Sequence, residues 1–174
     1  FPTLGVQPAL GRLFTPTDDT APGGHPVVVL SHDFWSSRFG LDPAVLNEQM
    51  VVNGVSLTVV GVTARGFTGT TTGGSPDIFV PLSMRETLIP GWKGFENRRT
   101  YWAYVFGRLK PGVSMAQAAA ALDPPYRAIL NDVEAPLQAG MSDQTMARFR
   151  TRSLQFEPGA RGQSDVDDEA RTPL

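Results

Sequence analysis

The chain has 174 residues, 41% hydrophobic and 18% charged, with a formal net charge of −2. That size and balance suit one large domain or two small subdomains around a sizeable core, with no electrostatic footprint for nucleic acid. Cysteine is absent, which excludes disulfides, thiolate catalysis and cysteine-bound zinc or iron–sulfur centres, and leaves the compartment open. No stretch approaches the ~20 consecutive apolar residues that a spanning helix requires. The sequence opens on Phe1 with no basic-then-apolar leader and stops at Arg171-Thr172-Pro173-Leu174; we read it as a segment of a longer protein.

The 18 glycines and 15 prolines predict many turns and long connections. Residues 1–26 are rich in turn formers, and Leu4, Val6, Leu10, Leu13 and Phe14 are expected to pin an irregular segment to the domain. Val27-Val28-Val29-Leu30 is a buried-type strand. Ser31 then suits an N-cap, Asp33 favours the positive helix start, and Trp35 and Phe39, four apart, share one face. Gly40 is placed to end that helix, and Asp42-Pro43 to start a short turn through Leu46.

The organising feature is the hairpin Gln49–Val62. Asn53-Gly54 between β-branched runs is a strong signal for a type I′ turn. A two-residue turn sets Val52 opposite Val55 and Met50 opposite Leu57. Met50, Val52, Val55, Leu57 and Val59 then share an apolar face, while Gln49, Val51, Ser56, Thr58 and Val60 share a mixed one. The asymmetry predicts an α+β fold, a mixed sheet with helices packed mainly on one side.

Beyond Val62, the stretch Thr68-Gly69-Thr70-Thr71-Thr72-Gly73-Gly74-Ser75 has no apolar periodicity and is expected to be a mobile loop. Ile78-Phe79-Val80 is a short strand, residues 83–99 are less legible, and Tyr101–Leu109 reads as a clear strand. Lys110-Pro111-Gly112 turns the chain into a helix whose capping box is Ser114 and Gln117, with Met115, Ala118, Ala119 and Leu122 on one face. Pro124-Pro125 is expected to break or kink that helix, with Asp123 capping a second one through Leu130. A helix over Ser142–Arg148 and a strand over Thr151–Phe156 follow, then a charged, solvated tail from Arg161 to Arg171.

No constellation for chemistry emerges, and no catalytic, cofactor-binding or metal-binding residue is assigned. Ser31-His32-Asp33 has the composition of a hydrolase triad, but neighbours on a helix start point about 100° apart and cannot relay a proton. His25 and His32 alone offer little to zinc. Asp18-Asp19 and Asp165-Val166-Asp167-Asp168-Glu169 lack the spacing of a calcium loop and read as solvated charge. The Gly/Thr loop lacks the terminal Lys-Ser/Thr of a phosphate-binding loop. Trp92, Tyr101, Trp102 and Tyr104 could stack a sugar or base, but core and cover are the first reading.

Four stretches carry a resemblance: Leu4–Phe14 with Asp18-Asp19; Val27–Trp35 through Arg38-Phe39-Gly40; Asn53–Val62 with Gly66-Phe67 and Pro76–Leu82; and Val105–Ser114 with Ala116-Gln117-Ala118. In this order they resemble the extracytoplasmic core domain of MacB/FtsX-type ABC transporter permeases, in the flavour of acidobacterial duplicated orphan permeases. The resemblance implies a two-lobed mixed α/β domain, one lobe porter-like, between the first and second membrane helices on the periplasmic side of the inner membrane. It implies residues 1–160 as this core, in two subdomains, and residues 161–174 as a juxtamembrane tail. It further implies no enzymatic activity or cofactor, and a role in relaying motion from cytoplasmic ATP hydrolysis. The implied partners are the parent membrane helices, a cytoplasmic ATPase subunit, and a periplasmic adaptor or second permease copy, with no nucleic acid. Asp123-Pro124-Pro125 departs from the family pattern by interrupting a helix that would otherwise run on.

The rival readings are a ligand-binding module with a pocket between the aromatic strand and residues 68–75, and, behind it, a hydrolase. The tethered reading predicts that the Cα atoms near Pro2 and Pro173 lie on one side of the domain; opposite poles would refute it.

Overall fold

Asn53 and Gly54 take φ angles of 50° and 82°, the paired positive values of a type I′ turn. The turn joins β3 (Gln49–Val52) to β4 (Val55–Thr63). The register pairs Val52 with Val55, Val51 with Ser56, Met50 with Leu57 and Gln49 with Thr58, as the alternation of side chains requires. On the core face Leu57 and Val59 are fully buried, with Met50, Val52 and Val55 packed beside them. On the opposite face Val51 is exposed, and Gln49 bridges Thr58 and Ser56 through bonds of 2.8 and 2.7 Å.

The computed structural model describes residues 1–97, 102–159 and 162–163. They fall into two compact units, one of the described residues within 1–106 together with 162–163, and one of residues 107–159. In the first unit β4 is bonded along both edges. Parallel to it runs β2 (Val27–Leu30), with Val27 opposite Thr58 and Leu30 opposite Val62. The other edge is taken first by β3 and then by β1 (Pro8–Gly11), antiparallel, with Leu10 opposite Val62 and Gly11 opposite Gly61. β5 (Ile78–Phe79) adds antiparallel to β2, giving the order β1-β4-β2-β5. Val28, Val29 and Leu30 are all buried, so this strand has both faces covered. An unalternating apolar run is what such a strand needs.

The handover from β3 to β1 depends on two glycines. Gly11 has φ of 63°, and a Cβ on it would lie 2.5 Å from the Val60 carbonyl oxygen. A Cβ on Gly61 would collide with the Arg12 carbonyl. The register of β1 shifts between Pro8 and Leu10, and Arg12 N–H donates to Val60 O at 2.9 Å. The segment expected to be irregular is thus a bulged strand. Four residues with Pro and Gly at the ends carry little strand signal by themselves; the free edge of β4 recruits them.

The Arg12 side chain leaves this bulge to make a bidentate pair with Asp18, at 2.7 and 2.8 Å. Asp18 is buried and also accepts from the backbone N–H and hydroxyl of Thr15, each at 2.8 Å. These bonds close a 3-10 turn over Pro16–Asp18.

α1 (His32–Phe39) begins at Ser31, whose hydroxyl accepts from Phe34 N–H at 3.2 Å, and ends at Gly40 with φ of 58°. Phe34, Trp35 and Phe39 pack on the sheet core. Asp42 accepts from Ala44 N–H at 2.9 Å and opens a 3-10 turn over Pro43–Val45. Where residues 83–99 were less legible, the chain forms a 3-10 turn (Leu82–Met84) and the short α2 (Arg85–Leu88), which place Met84 and Leu88 in the core. The Asn53 side-chain amide donates to Leu88 O at 2.8 Å, tying the hairpin turn to this element.

In the second unit Ser114 and Gln117 form the expected capping box of α3 (Met115–Ala128). The helix runs through Pro124 and Pro125 rather than breaking there. Asp123 does not cap a second helix; it pairs with Arg127 one turn on, at 2.6 Å across the proline pair. The chain continues as a π-helical stretch over Ile129–Glu134 and a 3-10 turn over Ala135–Leu137. Of the predicted face, Ala118 and Ala119 are half-buried while Met115 and Leu122 are exposed. α4 (Asp143–Arg150) starts at Ser142, which accepts from Thr145 N–H.

Two expected strands are absent from the described residues. Residues 102–109 and 152–156 form no strand, with Tyr104 67% and Val105 94% exposed. Alternation makes a strand only where a neighbouring backbone accepts its hydrogen bonds. Tyr101 and most of the predicted tail, residues 161 and 164–174, lie outside the described residues, so the position of Pro173 does too. Among the described residues no helix is long and apolar enough to cross a membrane.

Two variants test this account. Gly61→Ala should cost about 3 kcal/mol or more, because the added carbon meets backbone that cannot yield. Gly54→Ala, whose Cβ would meet nothing within 4 Å, should cost only about 1 to 2 kcal/mol for its positive φ. Equal urea midpoints for the two would refute the close approach at Gly61.

The second test concerns Asp18. Its bonds from Arg12, then those from Thr15, hold its carboxyl well below the ordinary carboxylate range, against the opposing effect of burial. A lowered folded pKa gives stabilisation that is complete above the unfolded value, about 3.9, and is lost as pH falls below it. Asp18→Asn should therefore lower stability by about 2 kcal/mol at neutral pH, and its loss should shrink in urea melts run progressively below about pH 4. A pH-independent difference would refute the charge-pair assignment.

Candidate functional site

Phe1 is held in an aromatic corner. Its ring lies 5.4 Å from Phe14, 5.9 Å from Phe67 and 5.4 Å from Phe79, and Phe67 lies 5.5 Å from Phe79. These edge and tilted geometries are favourable aromatic contacts. Phe14 follows β1, Phe67 follows β4 and Phe79 ends β5, so three connections of the sheet meet around the first residue. An open cleft of about 510 Å³ runs beside them, lined among others by Phe14, Asp19, Phe79 and Leu82. A smaller one of about 190 Å³ shares Asp19 and Leu82 and adds Ser83 and Phe95. Asp19 accepts from Ser83 N–H at 2.7 Å. The walls mix apolar side chains with Thr3, Thr15 and Thr20, and Asp19 lines both clefts.

The connection between β4 and β5 carries the second feature. Thr71 forms a parallel bridge with Gln163, in which Gln163 N–H donates to Thr70 O at 2.7 Å and Thr72 N–H donates to Gln163 O at 2.6 Å. The Gln163 amide also donates to Thr71 Oγ1 at 2.9 Å. The Gly/Thr stretch expected to be a mobile loop is therefore hydrogen-bonded to residues 92 positions further along the chain. No local pattern signals this, because neither Thr-rich nor Gly-Gln sequence has strand periodicity of its own.

The other candidate residues do not converge. Ser31 is engaged as a helix cap, and His32 Nδ1 stands 3.9 Å from Asp33 Oδ1, with its ring edge-on to Trp35 at 5.7 Å. A serine that accepts from the backbone beside a histidine facing an indole is not a nucleophile and base. His25 Nε2 is 2.7 Å from Thr20 Oγ1. Of the acidic pair, Asp18 is locked by Arg12 and Asp19 holds Ser83; residues 165–169 lie outside the described residues. Among the described residues no group of three or more His, Asp and Glu is placed to hold a metal.

Of the aromatic residues considered as a stacking platform, Trp92 and Trp102 meet edge to face at 4.9 Å, and Phe95 joins both. The Arg85 guanidinium sits 4.6 Å from Trp92 and 5.3 Å from Trp102, a cation–π contact that occupies the faces a ligand would use. Tyr104 stands apart and exposed. Neither cleft takes a wall from Tyr104 or residues 68–75.

Comparison with known proteins identifies the architecture. The chain matches the family model of the MacB-like periplasmic core domain over residues 1–124. The crystal structure of the periplasmic region of MacB from Actinobacillus actinomycetemcomitans is similar, with a TM-score of 0.48 and 19% identity. That alignment covers 72% of this chain and 50% of the other, so this chain matches half the length of the solved one. No curated protein matches. The motifs built into the sheet, from the Gly11–Gly61 bulge to β5, all fall within the matched span. The chain belongs to the MacB-like periplasmic core domain family, the extracytoplasmic domain of MacB/FtsX-type ABC transporter permeases.

Proposed function

We propose that this domain is a non-catalytic mechanical element, relaying motion from cytoplasmic ATP hydrolysis to a substrate or partner outside the membrane. In this reading residues 1–160 are the core, and residues 161–174 are a juxtamembrane tail that leads to a membrane helix. The parent protein works with a cytoplasmic ATPase subunit, and its extracytoplasmic partner is a periplasmic adaptor or a second permease copy.

One observation carries the reading. Phe1 and Gln163, near opposite ends of the sequence, attach to the same connection between β4 and β5. Phe1 packs on Phe67 and Phe79, and Gln163 bonds to Thr70, Thr71 and Thr72. A domain hung from two anchors on one membrane face needs its entering and leaving segments together. The sheet between them is well suited to move as a body, since its central strand is bonded on both edges and its core is closely packed.

The test uses the full-length protein with its ATPase in lipid vesicles. A spin label at Val51, 70% exposed on the outer face of the hairpin, should change its distance to labelled lipid headgroups when ATP is added. An unchanged distance under steady ATP hydrolysis would refute the relay.

A further inference from the structure

We propose that the pairing of Gly162-Gln163 with Thr70–Thr72 is a latch through which the segment carrying Gly162-Gln163 takes hold of the sheet. The inference rests on the relay reading and names the place where movement would enter the domain.

The latch has the properties such a role demands. Its two backbone bonds flank Thr71, from Gln163 N–H to Thr70 O and from Thr72 N–H to Gln163 O, at 2.7 and 2.6 Å. The Gln163 side chain adds a third, to Thr71 Oγ1 at 2.9 Å. Displacement along the segment therefore strains three bonds together. Gly162 has φ of 72°, and a Cβ there would collide with the Thr70 carbonyl oxygen, so glycine is required on two counts. The loop side is also braced. Gly74 N–H donates to Thr71 O at 3.0 Å, and Pro76 closes on Gly69, a Cβ on which would lie 3.3 Å from Pro76 Cγ.

The latch opens onto both central strands. Upstream, Ala64 N–H donates to Gln7 O at 3.0 Å, and Thr63 pairs with Pro8 at the end of β4. Downstream, Asp77 O accepts from Ser31 N–H at 2.8 Å, and β5 pairs with β2. A pull at Gln163 thus reaches β4 and β2 within a few residues, and it reaches Phe1 through Phe67 and Phe79. The Gly/Thr composition fits this use: Gly69, Gly73 and Gly162 take positive φ, while the threonines supply the hydroxyl and carbonyl contacts.

Hydrogen exchange tests the latch in two steps. In the 174-residue chain, the Thr72 and Gln163 amides should exchange at least about tenfold more slowly than an open loop amide. Gly162→Val should erase that protection and leave the β4 amides protected, which shows that the fold persists. Exchange at Thr72 and Gln163 as fast as in an open loop would overturn the latch itself. In the full-length protein with its ATPase, adding ATP should alter exchange across residues 64–82, and Gly162→Val should abolish that response while ATP hydrolysis continues. A response that survives Gly162→Val overturns the latch as the entry point and leaves the relay standing. No response to ATP in the unaltered protein overturns both.

Discussion

The close approach of two backbones at Gly61 is the constraint on which the sheet depends. β4 must accept β3 and then β1 along a single edge, while β2 occupies the other. The exchange of partners is possible only because Arg12 can pass against a residue with no side chain. Once β1 is seated there, Arg12 projects toward Asp18, and the buried carboxylate gathers four donors from two residues. A steric fact in β4 thus decides where the first eighteen residues go, and a charged pair then holds them.

The same seating explains the aromatic corner. With β1 in register, Phe14 leaves the sheet close to Phe79 at the end of β5, and the turn after β4 delivers Phe67. Phe1 fills the space among them. All four rings are half-buried, so each contributes part of the about 2 kcal/mol that a fully buried ring supplies, comparable with the net of about 1 kcal/mol from one hydrogen bond. Ring contacts therefore hold the beginning of the chain in place, while directional bonds hold residues 162–163.

The chemistry of the unit follows from what its polar groups already do. Ser31 caps a helix, Asp18 neutralises Arg12, Asp19 receives the backbone of Ser83, and Arg85 lies on two indoles. Of the described residues that suggested a reaction, a calcium loop or a stacking surface, Ser31, Asp18, Asp19, Trp92 and Trp102 are committed to structure. The family to which the chain belongs is an extracytoplasmic one of transporter permeases.

Local chemistry written in consecutive residues was legible without coordinates. The Asn53-Gly54 turn and its register, the caps Ser31 and Ser114, the Gly40 terminus and the β2 and β5 strands all follow from backbone preferences acting over a few residues. The family was legible for the same reason, since its motifs are these turns and caps in order. Where a distant backbone supplied the missing partner, the sequence was silent or misleading. β1 exists because β4 has a free edge; residues 102–109 alternate like a strand but form none; α3 runs through two prolines. The pairing of Thr71 with Gln163 joins residues whose own patterns say nothing about each other. Hydrogen-bond partners far apart in the chain are chosen by packing, so only the tertiary structure could decide them.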